Sequence, residues 1–211
     1  MSDLPNMDST PAVQNNHLPV KAATIVEYLK GIDASTKKTE IRSASYKALL
    51  EIAENQPESL IPHWNYLVEL LHCGNGSTQY CAVHILAPLT RADNTGRFEA
   101  IFDTFFDLLD DESVMVASHT AAVAGQIALA QPELQSRITK RLFDIDFNHF
   151  DAERKSLIRS YAIGSFDEYF SQVDNPDEIA AYVRVQLKRK SPKTRKMAAS
   201  FLKKWGYVST P

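Results

Sequence analysis

The segment Ile52-Ala53-Glu54-Asn55-Gln56-Pro57-Glu58 returns 75 positions later as Ile127-Ala128-Leu129-Ala130-Gln131-Pro132-Glu133. In both copies a helix-like apolar pattern runs into a proline suited to open the next helix. A spacing of 75 is two units of about 37–38 residues, and such a unit is the length of one helical hairpin in a repeat array. A chain of this kind buries its apolar faces by stacking unit on unit, which constrains the fold more than any local motif.

Composition fits an all-α array. An apolar fraction of 44% can form a substantial core, and 23% charged residues is ordinary for a soluble globular protein. Glycines number only seven, and the alternating β-branched and aromatic runs of strands are missing, so helix is expected almost throughout. Residues 1–19 are polar with no apolar signal core and are expected to form a disordered tail. Residues 20–205 are then a single domain, with 206–211 a short C-terminal tail. Cys73 and Cys81 are the only cysteines, which favours a reducing, cytoplasmic setting. Residues 113–132 carry no charge, but Ser113, His119, Gln126 and several alanines make them too polar for a membrane span. A helix buried on most faces in the middle of the array is expected there, and no membrane partner.

Five helix pairs can be laid out. The first runs over 20–30 and 39–54, the second over 57–72 and 79–89, the third over 97–109 and 114–130. The fourth covers 132–143 and 152–170, and the fifth 176–188 and 194–205. Pro57, Pro132 and Pro176 suit a first helical turn, where a missing N–H does no harm. Shifted by 37–38 residues, the second helices align as Ala44/Cys81/His119, Ala48/Ile85/Val123, Leu49/Leu86/Ala124 and Ile52/Leu89/Ile127. That i, i+4, i+5, i+8 spacing puts each set on one face, ready to stack.

The stretch Leu108-Leu109-Asp110-Asp111-Glu112-Ser113-Val114, followed by the alanine-rich 121–130, resembles a HEAT repeat. Residues 191–202 are similar, with Arg195 near the start of the second helix and the pair Ala198-Ala199 after it. Arg42 and Arg154 are placed to fill the same Arg position in pairs one and four, while Gln79 and Val116 stand nearby in pairs two and three. The resemblance implies a right-handed α-α superhelix, a HEAT-like α-solenoid of about five hairpins. Tetratricopeptide repeats are the main rival, but their shorter unit and aromatic-glycine signature are missing.

Charge is unevenly spread. After Glu178 there is no acidic residue, while Arg184, Lys188, Arg189, Lys190, Lys193, Arg195, Lys196, Lys203 and Lys204 give +9. The chain as a whole is −3, so the part before carries −12. Lys188, Arg189, Lys190, Lys193 and Lys196 are the candidate anion- or partner-binding residues. A polar capping repeat that keeps the array soluble would show the same pattern.

His72, Cys73, Cys81 and His84 suggest zinc, but adjacent positions 72 and 73 converge poorly on one ion and no CxxC knuckle is present. No metal or other cofactor is expected. Neither a nucleophile elbow nor a Walker-type or GxGxxG loop occurs, and Asp110-Asp111-Glu112 reads as a helix cap and solvated corner. The 73–78 turn is expected to cap its helix through Ser77 or Thr78. The function expected is a non-catalytic adaptor that binds a protein partner, with an acidic surface, through the solenoid face. The alternative is nucleic-acid binding through the basic last hairpin. HEAT-like helical pairs also build DNA-alkylation-repair glycosylases, and Trp64, Tyr66 and Trp205 would then line a base-accepting groove.

Overall fold

The computed structural model describes residues 21–207, and all their regular structure is helical. The tail expected over 1–19 lies outside these residues. The helices are α1 Ala22–Ile32, α2 Thr39–Asn55, α3 Trp64–Leu70, α4 Gly76–Leu89, α5 Arg97–Ala100 and α6 Phe102–Phe106. Then follow α7 Val114–Ala130, α8 Gln135–Phe143, α9 Ala152–Tyr169, α10 Pro176–Gln186 and α11 Pro192–Lys204. The long helices α2, α4, α7, α9 and α11 pack on one another in chain order, and α1, α3 and α10 pack on the helices that follow them.

The repeat length is visible in the caps. Residues Lys38, Asn75, Ser113, Asp151 and Ser191 precede the five long helices, at intervals of 37, 38, 38 and 40. Four of them accept from backbone N–H groups of the first turn: Asn75 from Thr78, Ser113 from Val116, Asp151 from Glu153 and Arg154, and Ser191 from Thr194. Asn75, then, caps α4 in place of the expected Ser77 or Thr78. Thr78 lies in the first turn instead and donates to the Ile32 carbonyl at 3.0 Å, tying α4 to α1.

The first helices are less regular than expected. Pro176 does open α10, but Pro57 and Pro132 open 3-10 turns, Pro57–Ser59 and Pro132–Leu134. Residues 97–110 break into α5, α6 and a 3-10 turn, Asp107–Asp110, in a stretch of Phe, Asp and Thr, which are weak helix formers. Tertiary packing holds them: Phe98, Phe102, Phe105 and Phe106 are all buried against one another, with ring centroids as close as 4.8 Å.

Between the long helices, Leu49, Leu86, Ala124, Ala162 and Leu202 sit eleven residues after their caps and all are buried. The alignments Leu49/Leu86/Ala124 and Ile52/Leu89/Ile127 are buried throughout. Ala44/Cys81/His119 is not one packing column: Cys81 is buried, His119 half-buried and Ala44 exposed. The uncharged helix α7 lies between α4 and α9, and Ala124 is fully enclosed. Gly125 lets α9 approach, since a Cβ there would stand 2.6 Å from the Ser165 carbonyl oxygen. At the C-terminal end, Gly206 and Tyr207 turn back on the helices, and the Tyr207 hydroxyl donates to Asp177 at 2.8 Å.

The position four residues after the cap closes the turn inside four of the five pairs. Arg42 donates to the Thr36 carbonyl at 2.6 Å, Gln79 to the Leu71 carbonyl at 3.0 Å, and Lys155 to the Asp146 carbonyl at 3.1 Å. Arg195 donates to the carbonyls of Arg189 and Lys190 at 2.9 and 2.6 Å. In pair four the latch is thus Lys155; Arg154, expected there, is exposed and pairs with its own cap Asp151 at 3.6 Å. In pair three the position is Ala117, not Val116, and makes no such bond.

Candidate binding surface

The basic hairpin does not form one free patch. Arg189 is half-buried: its Nε donates to Gln186 at 3.1 Å and its guanidinium pairs with Asp146 at 3.6 Å. Asp146 also accepts from the buried Arg159 at 2.6 Å, so Arg189 is committed to holding the last pair on the fourth. An external anion at Arg189, one of the expected anion-binding residues, would therefore compete with the Asp146 carboxylate. Lys188, Lys190 and Lys196 are exposed, and none has an ion-pair partner among the described residues. Lys193 is set apart from them, with its ammonium 4.2 Å from the centre of the Tyr161 ring.

Tyr161 is the last ring of a row that crosses four long helices and that Lys193 extends to the fifth. Tyr46 on α2 meets Tyr80 on α4 with centroids 5.5 Å apart, and Tyr80 meets His119 on α7 edge-on at 4.7 Å. His119 meets Tyr161 on α9 at 5.5 Å, and Lys193 on α11 completes the line. His84, one turn after Tyr80, fills the space between them: its ring lies 4.6 Å from Tyr80, and its Nε2 is 2.9 Å from His119 Nδ1. The rings are half-buried, so the row is open to solvent on one side.

The row is electrically quiet except at its end. Burial, helped by the neighbouring His119, pulls the His84 imidazole down to about 4. Burial, then the Lys193 charge, lowers His119 as well. Burial pushes the Tyr46 phenol upward. At neutral pH the row is therefore a line of uncharged rings with polar tips, closed by one ammonium. Among the described residues no carboxylate hydrogen-bonds to either imidazole. Burial raises the nearby Cys81 thiol to about 11, which keeps it out of the thiolate form needed for attack. The arrangement offers hydrogen bonding and ring contact.

Other residues singled out from sequence have structural roles. Among the described residues no three His, Cys, Asp or Glu side chains come together as metal ligands. Trp64 is buried in the core, Tyr66 donates to Asp33 at 3.1 Å, and Trp205 packs on Phe170 and donates to Asp167 at 2.6 Å. The aromatic residues of the row were not visible in sequence as a set, since they are separated by 34, 4, 35 and 42 positions and share no single register. No described helix is long and apolar enough to cross a membrane.

No family model matches the chain, and no curated protein matches it. Among solved structures it is similar to the crystal structure of an engineered protein, with 17% identity and a TM-score of 0.48, over 91% of this chain and 88% of that one.

Proposed function

We propose that the protein is a non-catalytic adaptor, a HEAT-like α-solenoid with right-handed superhelical pairs, that binds an extended segment of a protein partner along the ring row. The observation that carries this reading is the unbroken line of Tyr46, Tyr80, His84, His119, Tyr161 and Lys193 across five successive long helices. Steps of 5.5, 4.7 and 5.5 Å between rings and 4.2 Å to Lys193 make the row at most about 20 Å long, room for about six extended residues at roughly 3.3 Å each. Half-buried tyrosine and neutral histidine tips offer hydrogen bonds to peptide N–H and C=O groups, while the ring bodies supply contact area at low entropic cost. Lys193, with Lys196 nearby in sequence, favours a carboxylate at one end of the segment. The four latch residues' common position supports the repeat reading, because a long donor four residues after the cap serves the same turn in four pairs of five.

Nucleic acid fits the row less well. Stacking of bases needs free ring faces and cations along the backbone. Here neighbouring rings and the Lys193 ammonium occupy the faces, and one cation serves the whole line.

The test places a photo-crosslinking phenylalanine analogue at position 161 and irradiates the protein in its source cells. The expected product is a crosslink to a polypeptide, reduced by Lys193→Glu. Crosslinks to nucleic acid, or a polypeptide adduct indifferent to Lys193→Glu and to Tyr80→Ala, would reject the row as the docking line.

A further inference from the structure

The turn between α8 and α9 displays the most exposed large apolar side chain among the described residues, Phe147, at 86% of full accessibility. The turn itself is firmly held. Ile145 is buried, the Asp146 carboxylate engages Arg159 and Arg189, and Lys155 donates to the Asp146 carbonyl at 3.1 Å. Beyond Phe147, Asn148 donates to the Leu109 carbonyl at 3.3 Å, and the His149 N–H reaches Asp110 at 2.8 Å. The backbone that carries this phenyl ring is thus held on both sides, and the ring stands in water at a solvation cost that packing does not repay. The equivalent 3-10 turn of the preceding pair, Asp107–Asp110, ends on an aspartate where this one, Asp144–Phe147, ends on phenylalanine.

The Asp146–Arg189 pair draws the last turn of the array alongside. There Leu187 is 38% exposed, and Lys188 and Lys190 are exposed without an ion-pair partner among the described residues. Arg195, bonded to the Arg189 and Lys190 carbonyls, fixes this turn too. Two apolar side chains and two uncommitted ammonium groups therefore stand on adjoining, preorganised turns. Phe147 also lines a shallow cleft with Asp107, Asp110, Asp144 and Arg141, in which Arg141 pairs with Asp107 and His149 with Asp110.

We infer that this edge is a second docking site, for a short acidic segment of a partner protein that sets a large apolar side chain against Phe147 and Leu187 and carboxylates against Lys188 and Lys190. Charge complementarity chooses the occupant: the two lysines attract an acidic segment, while Asp144, which has no ion-pair partner among the described residues, repels carboxylates from the cleft, and this sets the segment's direction across Phe147. An exposed aromatic on a held backbone is the kind of residue on which binding free energy concentrates.

The test pans a phage-displayed library of random peptides against the full chain, and measures synthetic copies of the enriched peptides by fluorescence polarisation. The expected peptides combine Asp or Glu with Phe, Leu, Ile or Trp. Phe147→Ser and the double variant Lys188→Glu/Lys190→Glu each weaken them about tenfold or more. These side chains are exposed, so both variants keep the wild-type melting temperature and loss of binding cannot be misfolding. Peptides held by the ring row would behave oppositely, losing affinity with Lys193→Glu and keeping it with Phe147→Ser. A selection that yields only those, or none, overturns the site. So does Phe147-dependent sedimentation with phosphatidylserine vesicles in place of peptide binding.

Discussion

At the scale of single residues, adjacent basic side chains divide sharply by what they touch. Arg189 faces Asp146 and Gln186, while Lys190 next to it meets solvent. Arg189→Glu sets a carboxylate against Asp146 and leaves Gln186 without its donor, so it should destabilise the fold by about 1–2 kcal/mol. Lys190→Glu should stay within about 0.5 kcal/mol of wild type. Urea titrations of the two variants check this, and equal midpoints would mean that Arg189 is as free as its neighbour. His84 offers a second residue-scale prediction. Its imidazole protonates near 6.5 when unfolded but only at about 4 when folded. Between those values the unfolded chain binds more protons, so stability falls as pH drops from 6.5 towards 4. Partial solvent access discounts the effect to about 1–2 kcal/mol. In His84→Gln, the decline in melting temperature over that window should be visibly shallower. An unchanged slope would place the acid sensitivity elsewhere.

At the scale of elements, the caps and latches explain both what could be read ahead and what could not. The five pairs were legible because their signals are local: a proline or polar cap, an apolar run of the right period, and a 37–38 residue return. The all-helical class follows from the same signals. The latch in pair four was misread by one residue, since the HEAT-like pattern asks for an Arg near the start of the second helix and Arg154 is the one present. One position is 100° around the helix, and that rotation sends Lys155 to the Asp146 carbonyl and Arg154 out to Asp151. Lys155→Met should therefore cost about 1 kcal/mol by leaving the turn carbonyl without its donor. Arg154→Met should cost less than about 0.5 kcal/mol, as an exposed pair allows. Chemical denaturation of the two variants distinguishes them, and the reverse order would restore the Arg154 assignment. The ring row was illegible for a related reason. Its members occupy different registers on their helices, so it exists only once the helices are packed, and no column of the sequence contains it.

At the scale of the whole molecule, the charge asymmetry is a local feature on an acidic body. The segment after Glu178 carries +9 and the rest −12. Of the nine cations, Arg189 and Arg195 are engaged within the fold, Lys204 pairs with Asp167 at 2.8 Å, and Lys193 lies over Tyr161. The remaining ones are distributed over α10, its turn and α11, and form no continuous track. Duplex DNA affinity rises with the number of phosphates neutralised together, and its salt dependence reports that number. With few cations able to act at once and a net charge of −3, the protein should bind duplex DNA only weakly. The slope of log K against log salt should be shallow, on the order of two to three phosphates. Fluorescence anisotropy of a labelled duplex across a salt series measures both. Tight binding with a slope of about six or more would show that the cations converge on one backbone. The nucleic-acid reading would then displace the adaptor. A shallow slope would instead favour the proposed acidic segment of a protein partner, met by Lys188 and Lys190 on the turn that Arg189 ties to Asp146 and by Lys193 at the end of the ring row.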